Sequence, residues 1–304
     1  MDQLKSDELS QKTKETIFKT AVARDVMPFI SVKTDGLTFL FDSRDTLMAN
    51  SMITLESTYS RDEIDFCLNF LKDTEIWNDK RRNTFLDIGA NIGTTSIYAR
   101  KQLKNREGNK IIAFEPVPPI FRLLRANCIL NGYDDIVCEN YAVSSKKGNL
   151  KFNLQDGNFG GSNAIGENDE TIETYEVRAI TLDEYAGSAN LTPESIFFVW
   201  IDVEGFEPDV IEGGKKIIRS AGVPIYIEYN PSIYKRRGVF ENAVESWKNL
   251  FSYFIVPTFM NNEKMQNGIF EIGQLELYTE TIDFRDTMNI MLLTDEALKN
   301  VKNS

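Results

Sequence analysis

Length, composition and charge place this chain among ordinary folded proteins and exclude several classes of function. It has 304 residues, 42% hydrophobic and 26% charged, enough for one large α/β domain with a smaller N-terminal appendage. Acidic residues outnumber basic ones by 46 to 34, and the net charge of −12 disfavours broad contact with nucleic acid or anionic lipid. There is no histidine, which argues against Ser–His–Asp hydrolases and most catalytic zinc sites.

The N-terminus and the cysteines carry no targeting or redox signal. The first residues lack an apolar signal segment, and no apolar run approaches the ~18 residues of a membrane span. We therefore expect a cytoplasmic protein without a membrane span or a nucleic-acid partner, and the sequence leaves its oligomeric state open. Cys67, Cys128 and Cys138 are odd in number and lack metal-ligand spacing, so we interpret them as core residues.

The N-terminal quarter is predicted to contain two helices separated by a hairpin. Residues 1–27 are polar, with the scattered apolar positions of a helix that packs on a larger domain. Two β-rich runs over Phe29–Ser43 flank Asp35 and Gly36, a pair that favours a tight hairpin turn. Over Arg61–Lys72, apolar residues recur at i, i+3, i+4 and i+7, which indicates an amphipathic helix.

The pattern then changes, so we predict an N-terminal cap over residues 1–78 and a main domain over 79–304. In the main domain short apolar strands alternate with helices, which predicts a doubly wound α/β fold. The strands read TFLDI, IIAFE, IVCEN, FFVWIDV and PIYIEY. Two alternating β stretches near 149–180 predict a hairpin insert with a mobile, glycine-rich tip at 156–168. Near the C-terminus, FSYFIVP and MNIMLLT are predicted to pair antiparallel at the sheet edge.

The segment TFLDIGANIGTTSIYAR predicts a ligand loop. A strand ends at Asp87, a loop with Gly89 and Gly93 follows, and a helix begins near Thr94. Open α/β sheets bind ligands beyond the carboxyl ends of their strands, where glycine lets backbone N–H groups approach closely. The loop lacks the G-x-G-x-x-G of dinucleotide-binding proteins. An acid at the strand tip favours a ligand with ammonium and sulfonium groups over a pyrophosphate.

A second acid follows one βαβ unit later. In IIAFEPVPP a strand ends at Glu115, 28 residues after Asp87. The acceptor oxygens of a carboxylate there match two ribose hydroxyls. We therefore predict that Glu115 binds a ribose and that Pro116 and Val117 line the adenine side.

Four further acids follow two later strands. Asp202 ends FFVWID, Glu204 and Glu207 follow it closely, and Glu228 ends the strand PIYIEY. If these strands are neighbours, their tips bring Glu228 close to Asp202. Clustered acids raise one another's pKa and serve as a base, or they hold a hard divalent cation. Glu207 has a second interpretation, as an acid that favours the positive end of a helix dipole.

Together these segments resemble the FkbM family of class I S-adenosylmethionine-dependent methyltransferases. The resemblance covers roughly residues 59–294 and depends on LDIGANIG, AFEP, the stretch 142–152, TLDEY and IDVEGFEPDVIEGG. It implies a Rossmann-like seven-stranded sheet with S-adenosylmethionine as cofactor. It further implies methyl transfer to a hydroxyl oxygen of a small molecule or glycan.

The resemblance also implies roles for individual residues. The methionine and adenosyl loop would contain Asp87, Gly89, Asn91 and Gly93, and Glu115 would be the ribose acid. Ala142 and Val143 would form an adenine wall, and Asp202 and Glu204 would be the acidic motif at the fourth strand. Whether that motif acts as base, metal ligand or cofactor contact is left open by the resemblance.

Because histidine is absent, acid–base chemistry falls to carboxylates. Our candidates for the base are Asp202, Glu204 and Glu228, with Asp202 leading as base or metal ligand. The glycine-rich tip at 156–168 is interpreted as a lid over the acceptor or as a plain hairpin tip. Two rival functions stay open, a nicotinamide-dependent oxidoreductase or epimerase and a non-catalytic binding protein that kept the cofactor fold.

Overall fold

The computed structural model describes residues 28–106, 108–154, 157–159, 161, 174–257, 268–281 and 288–298, together with positions 12, 13 and 16. Those three positions are helical, and the rest of the helix predicted over 1–27 lies outside the described residues.

The strands are β1 (Phe29–Thr34), β2 (Leu37–Asp42), β3 (Thr84–Ile88), β4 (Lys110–Phe114), β5 (Val137–Glu139), β6 (Ala142–Val143), β7 (Gly148–Asn153), β8 (Thr174–Ile180), β9 (Ile196–Ile201), β10 (Ile225–Tyr229), β11 (Tyr253–Ile255), β12 (Ile269–Glu271) and β13 (Met288–Leu293).

The α-helices that the structure describes from residue 28 onward fall into the cap, the main domain and the C-terminal part. They are α1 (Thr46–Leu55), α2 (Arg61–Lys72), α3 (Glu75–Asn78), α4 (Thr94–Gln102), α5 (Pro118–Leu130), α6 (Leu182–Ser188), α7 (Glu207–Gly213), α8 (Lys215–Ala221), α9 (Pro231–Arg236), α10 (Phe240–Lys248), α11 (Leu275–Glu280) and α12 (Asp295–Leu298). None of the helices in this described part is long and apolar enough to cross a membrane.

The main sheet confirms the doubly wound α/β prediction. Its order is β12-β11-β13-β10-β9-β3-β4-β5, with β3, β4, β5, β9 and β10 parallel and β13 antiparallel to both its neighbours. Strands β3 and β9 are buried at every position because helices cover both faces, so each reads as a continuous apolar run. The predicted count of seven strands is one too low. The described sheet has an eighth, β12, whose three residues pair with β11 and are too short to give a sequence pattern.

The strand order places a ligand cleft between β3 and β9. The chain moves from β3 to β4 and β5 on one side, and it crosses to β9 and β10 on the other. Strand order therefore reverses between β3 and β9. A cleft at such a switch point is the usual ligand site of open α/β sheets.

The predicted N-terminal hairpin is confirmed, and it packs on the main domain. Strands β1 and β2 pair antiparallel around Asp35 and Gly36, whose φ angles of 51° and 69° are those of a tight hairpin turn. The buried Asn127 of α5 accepts a hydrogen bond from the Leu40 N–H at 2.7 Å and donates one to the Leu40 carbonyl at 3.1 Å. The hairpin belongs to the same hydrophobic core as the main sheet. The hydrophobic core is therefore continuous across the predicted boundary at residue 78.

Three other local predictions are confirmed. Helix α2 spans Arg61–Lys72 as predicted and buries its periodic apolar face. Strands β7 and β8 pair antiparallel as the predicted insert, and β11 pairs antiparallel with β13 near the C-terminus. Strand β6 also joins β8, so the described insert is a three-stranded sheet. The cysteines are free thiols, with Cys67 and Cys128 buried.

Candidate active site

A cavity of about 280 Å³ opens beyond the carboxyl ends of β3, β4, β9 and β10. It lies at the switch point of the main sheet, and its walls combine apolar side chains with several carboxyl groups. Ten of the residues predicted for cofactor or catalysis line it: Gly89, Asn91, Glu115, Pro116, Val117, Ala142, Val143, Asp202, Glu204 and Glu228. The topology thus brings together segments that lie more than 100 residues apart in sequence.

Two of the predicted cofactor residues, Asp87 and Gly93, do not line the cavity. Asp87 is fully buried beneath the loop, where its carboxylate accepts a hydrogen bond from the Ser96 hydroxyl. Burial raises the pKa of Asp87 to about 7. A Cβ atom on Gly93 would lie 2.7 Å from Leu124 Cδ1. Gly93 therefore packs against α5 behind the wall. Asp87 also lies behind the wall, but its Oδ1 has no hydrogen-bond partner among the described residues, so its contact with a cofactor stays a prediction.

Gly89 is the point at which the β3 loop touches the β9 loop. Its φ angle is +91°, and a Cβ atom there would lie 1.8 Å from the carbonyl oxygen of Asp202. Alongside, the Asp202 N–H donates a hydrogen bond to the Ile88 carbonyl at 2.9 Å. Only glycine permits this approach, and the approach places Asp202 directly beside the loop predicted to hold the cofactor.

Glu115 is held by backbone donors on both sides. Its Oε2 accepts a hydrogen bond from the Asn91 N–H at 3.0 Å, and its Oε1 accepts one from the Val117 N–H at 2.8 Å. Burial raises the pKa of Glu115 to about 8. In its ionised form a carboxyl group has about four acceptor positions, so each oxygen of Glu115 then keeps one for a ligand hydroxyl. The Asn140 side chain donates to the Glu115 carbonyl at 2.8 Å, a support that sequence reasoning missed.

The predicted adenine side is largely apolar. Ala142 and Val143 are buried in β6, and Val117 is the residue that precedes α5. The Asn140 amide donates a 2.8 Å hydrogen bond to the Pro116 carbonyl and so keeps the turn after β4 against β5. Pro116, Val117, Ala142 and Val143 line the cavity on the same side as Glu115.

Asp202, Glu204 and Glu228 form an acidic cluster at the other end of the cavity. One carboxylate oxygen from each lies within 4.8 Å of the others, because β9 and β10 are parallel neighbours whose carboxyl ends meet. Burial raises the pKa of Asp202 to about 6. Burial together with the neighbouring carboxylates raises the pKa of Glu204 to about 8 and that of Glu228 to about 9. At neutral pH Asp202 is therefore the most ionised of the three.

Glu207 has a structural place beneath this cluster. Its Oε1 accepts hydrogen bonds from the N–H groups of Val203 at 3.0 Å and Gly205 at 3.2 Å. Its Oε2 accepts one from the Tyr234 hydroxyl at 2.8 Å. Glu207 is fully buried and does not line the cavity. It holds the loop that carries Asp202 and Glu204, a role more specific than the helix-dipole interpretation.

The cap and the insert contribute a wall that sequence reasoning missed. The cap supplies Leu47, Met48, Tyr59 and Ser60, and the insert supplies Asn158 and Phe159. The two segments are joined by the Leu47 N–H, which donates to the Gly157 carbonyl at 3.0 Å. No local signal marks these residues, because their contact depends on the packing of the cap over the sheet. Of the tip predicted to be a lid, positions 157–159 and 161 are described, and the rest lies outside the described residues.

The sequence of the cleft matches a known domain. Residues 87–264, more than half of the chain, match the model of the methyltransferase FkbM domain. The chain belongs to the FkbM methyltransferase family. This match begins at Asp87 and includes the ligand loop, Glu115 and the acidic cluster. The nicotinamide-dependent alternative is not favoured by it.

The chain is also similar to a curated protein and, more distantly, to solved structures. The chain is 30% identical over 166 residues to the 2-O-methyltransferase NoeI of Sinorhizobium fredii, which is 50% of this chain and 65% of that protein. A crystal structure of methyltransferase FkbM from Methylobacillus flagellatus has a TM-score of 0.41 and 10% identity, covering 70% of this chain and 44% of that one. An S-adenosylmethionine-dependent O-methyltransferase from Thermotoga maritima has a TM-score of 0.38 and 10% identity, covering 88% and 78%. Family membership depends on the sequence match.

Proposed function

We propose that this protein transfers a methyl group from S-adenosylmethionine to a hydroxyl oxygen of a small molecule or sugar. The observation that carries the proposal is the cluster of Asp202, Glu204 and Glu228 in the wall of the cavity, in a chain without histidine. A proton acceptor is needed when a hydroxyl is methylated, and these carboxylates supply it. The name of the relative, a 2-O-methyltransferase, supports oxygen as the accepting atom.

The residues around the cavity fit S-adenosylmethionine. The buried Asn91 Oδ1 has no hydrogen-bond partner among the described residues, so the wall presents it as an acceptor for a ligand donor. The free acceptor positions of Glu115 suit the two hydroxyls of a ribose. The apolar wall of Pro116, Val117 and Ala142 suits the face of an adenine. When bound, the cofactor supplies a methyl group on a sulfonium.

The protein's part in the reaction is to align the acceptor and remove its proton. Methyl transfer from a sulfonium is an in-line displacement, so much of its rate comes from positioning in a cavity that excludes water. We propose Asp202 as the base because its carboxylate is the most ionised of the cluster at neutral pH. A carboxylate with a pKa near 6 is a stronger base than an ordinary aspartate near ~4.

The experiment compares Asp202→Asn with Glu241→Gln, an exposed carboxylate outside the cavity. Asp202→Asn should lower kcat by roughly 10²- to 10⁴-fold, measured as S-adenosylhomocysteine release with an acceptor found by screening. Its affinity for S-adenosylmethionine, measured by titration calorimetry, should change far less. Wild-type turnover in Asp202→Asn would refute the base assignment. Cofactor binding without release of S-adenosylhomocysteine from any acceptor would favour the non-catalytic binding protein.

The same three carboxylates are also a donor set for a hard divalent cation. In that rival arrangement the cation acidifies the acceptor hydroxyl, and no free carboxylate acts as base. Exhaustive chelation distinguishes the two. Turnover that survives chelation supports the base, whereas turnover that is lost and then restored by magnesium or manganese places a cation at the cluster.

A further inference from the structure

Carboxyl groups line the cavity, and no basic side chain stands among the described residues of its wall. Among the described residues of the wall there are four carboxyl groups, those of Glu115, Asp202, Glu204 and Glu228, and no lysine or arginine. Arg237 lies behind the wall. Its guanidinium pairs with Asp209 at 2.7 Å and stacks 3.7 Å from the ring of Phe206, which is itself a wall residue. The acceptor end of the cavity therefore has no side chain of the described wall that would balance an anionic acceptor.

A neighbouring acid of the cap extends this asymmetry. On α2, Glu63 adds negative charge that raises the pKa of Asp202 further after burial. The cap and the acidic cluster thus both contribute negative potential to one cavity.

Tyr59 supplies an aromatic ring beside the acidic cluster. It lies just before α2, lines the cavity and is 40% exposed at its mouth. Burial and the charges of Asp202, Glu228 and Glu204 raise the pKa of its hydroxyl, which places the ring in the field of the cluster. A tyrosine face attracts a ligand cation, and nearby carboxylates strengthen that attraction. An aromatic ring with several carboxylates is a recognised arrangement for binding an amine.

We propose that this site selects its acceptor by charge, taking polyhydroxyl acceptors that carry an amine near the reacting hydroxyl and rejecting anionic ones. This inference rests on the proposed function. Asp202 takes the hydroxyl proton. Glu204 and Glu228, which are protonated at neutral pH before the acceptor binds, ionise as the ammonium binds, because a neighbouring cation lowers the pKa of a carboxyl group, and with Tyr59 they hold the ammonium. In the transfer the methyl–sulfur bond breaks and an oxygen–methyl bond forms. The proton passes to Asp202 and the sulfur leaves as a neutral thioether. The amine stays protonated and so has no lone pair for methylation.

The test uses matched triplets of acceptors on one scaffold, each an amine, a neutral alcohol and an acid. Glucosamine, glucose and glucuronic acid form one triplet, and aminocyclitol, cyclitol and cyclitol phosphate form another. With S-adenosylhomocysteine release as readout, the amine should have a kcat/KM roughly 10-fold above the neutral member. The acid should fall roughly 10- to 100-fold below it, from charge repulsion at a few ångström.

The possible outcomes distinguish a failure of charge selection from a failure of the proposed methyl transfer. A triplet in which the acid reacts as well as the neutral member, or in which the amine gives no gain, overturns the charge selection. Absence of turnover with every triplet, in protein that binds S-adenosylmethionine, also overturns it. Failure to bind S-adenosylmethionine instead overturns the proposed function.

Variants of Tyr59 and Glu204 test the residues. Tyr59→Leu should lower the preference for the amine by about 2- to 5-fold, whereas Tyr59→Phe keeps the ring and should retain the preference. Glu204→Gln should reduce the discrimination against the acid. Cofactor affinity, measured by calorimetry, should be unchanged in both Tyr59 variants. Equal loss of amine preference in Tyr59→Phe and Tyr59→Leu would contradict a role for the aromatic face.

Discussion

Replacing Gly89 with alanine should separate the two loops that form the cleft. The new Cβ atom would lie 1.8 Å from the Asp202 carbonyl oxygen, and ordinary contact needs 3.4 Å or more, so one loop must move by more than 1 Å. A side chain at φ +91° adds strain of about 1–3 kcal/mol. Relieving the clash adds about 1–3 kcal/mol, as in overpacked cores. The total of about 2–6 kcal/mol is a large part of the stability of most domains.

The assay is thermal unfolding together with calorimetric titration of S-adenosylmethionine. A loss of this size should lower Tm by roughly 4–12 °C in a protein of this length. Because the displaced loop carries Asn91, whose free side-chain oxygen faces the cavity, cofactor affinity should fall as well. Stability and affinity should therefore change together.

The matched control is Gly187→Ala. Gly187 lies inside α6, has no positive φ angle and has no atom within 4 Å of a built Cβ. Alanine is favoured over glycine in a helix by about 1 kcal/mol, so this variant should keep or slightly raise Tm. Wild-type Tm and affinity in Gly89→Ala would refute the close approach of the two loops.

Three further predictions follow from buried polar groups. Glu115 and Glu228 have folded pKa values of about 8 and 9, above the ~4.3 of an unfolded glutamate, so the native state keeps protons that the unfolded chain has lost. Their stability contribution is complete below pH ~4.3 and is lost as pH rises through 8–9. Tm without ligand should therefore fall between pH 6 and pH 9. Glu207→Ala removes three hydrogen bonds at a buried loop and should cost about 3–5 kcal/mol, with cofactor-saturated kcat also reduced. Asn127→Leu leaves the backbone groups of Leu40 and a loop carbonyl unpaired and should cost about 3 kcal/mol in urea unfolding.

Each of these has an outcome that contradicts it. A Tm that is flat or rises from pH 6 to pH 9 would mean that the buried carboxyls do not hold protons in the native state. A Glu207→Gln variant keeps some acceptor capacity and should lose less stability than Glu207→Ala, so equal losses would argue against the hydrogen bonds. For Asn127, the half-buried Asn131 is the control, since Asn131→Ala should cost less than Asn127→Leu.

The direction of the Asp87 side chain could not be predicted from the motif that contains it. The strand and loop TFLDIGANIG were located by local signals, and these depend only on the run of apolar residues and the glycines. Whether Asp87 contacts the ligand depends on which way its side chain points from a strand buried on both faces. It points beneath the loop toward Ser96, and no property of the neighbouring residues in sequence reveals that.

The sequence by itself determined the fold class, the position of the loop after β3 and the family, because each depends on short-range pattern. Parallel strands buried on both faces read as apolar runs, and an acid or glycine that follows such a run stands at a strand tip. The sequence predicts that Asp202 lies close to Glu228 only if β9 and β10 are neighbouring strands.

Only the tertiary structure decided that condition, and only it placed Tyr59 and Leu47 from the cap in the wall of the cavity. Contacts of this kind join residues that are distant in the chain. They depend on how whole elements pack, and they produce no periodic pattern in the amino-acid sequence. The protonation states of Asp202, Glu204 and Glu228 also depend on the tertiary structure. Their raised pKa values come from burial and from charges on separate elements, which exist together only in the folded protein.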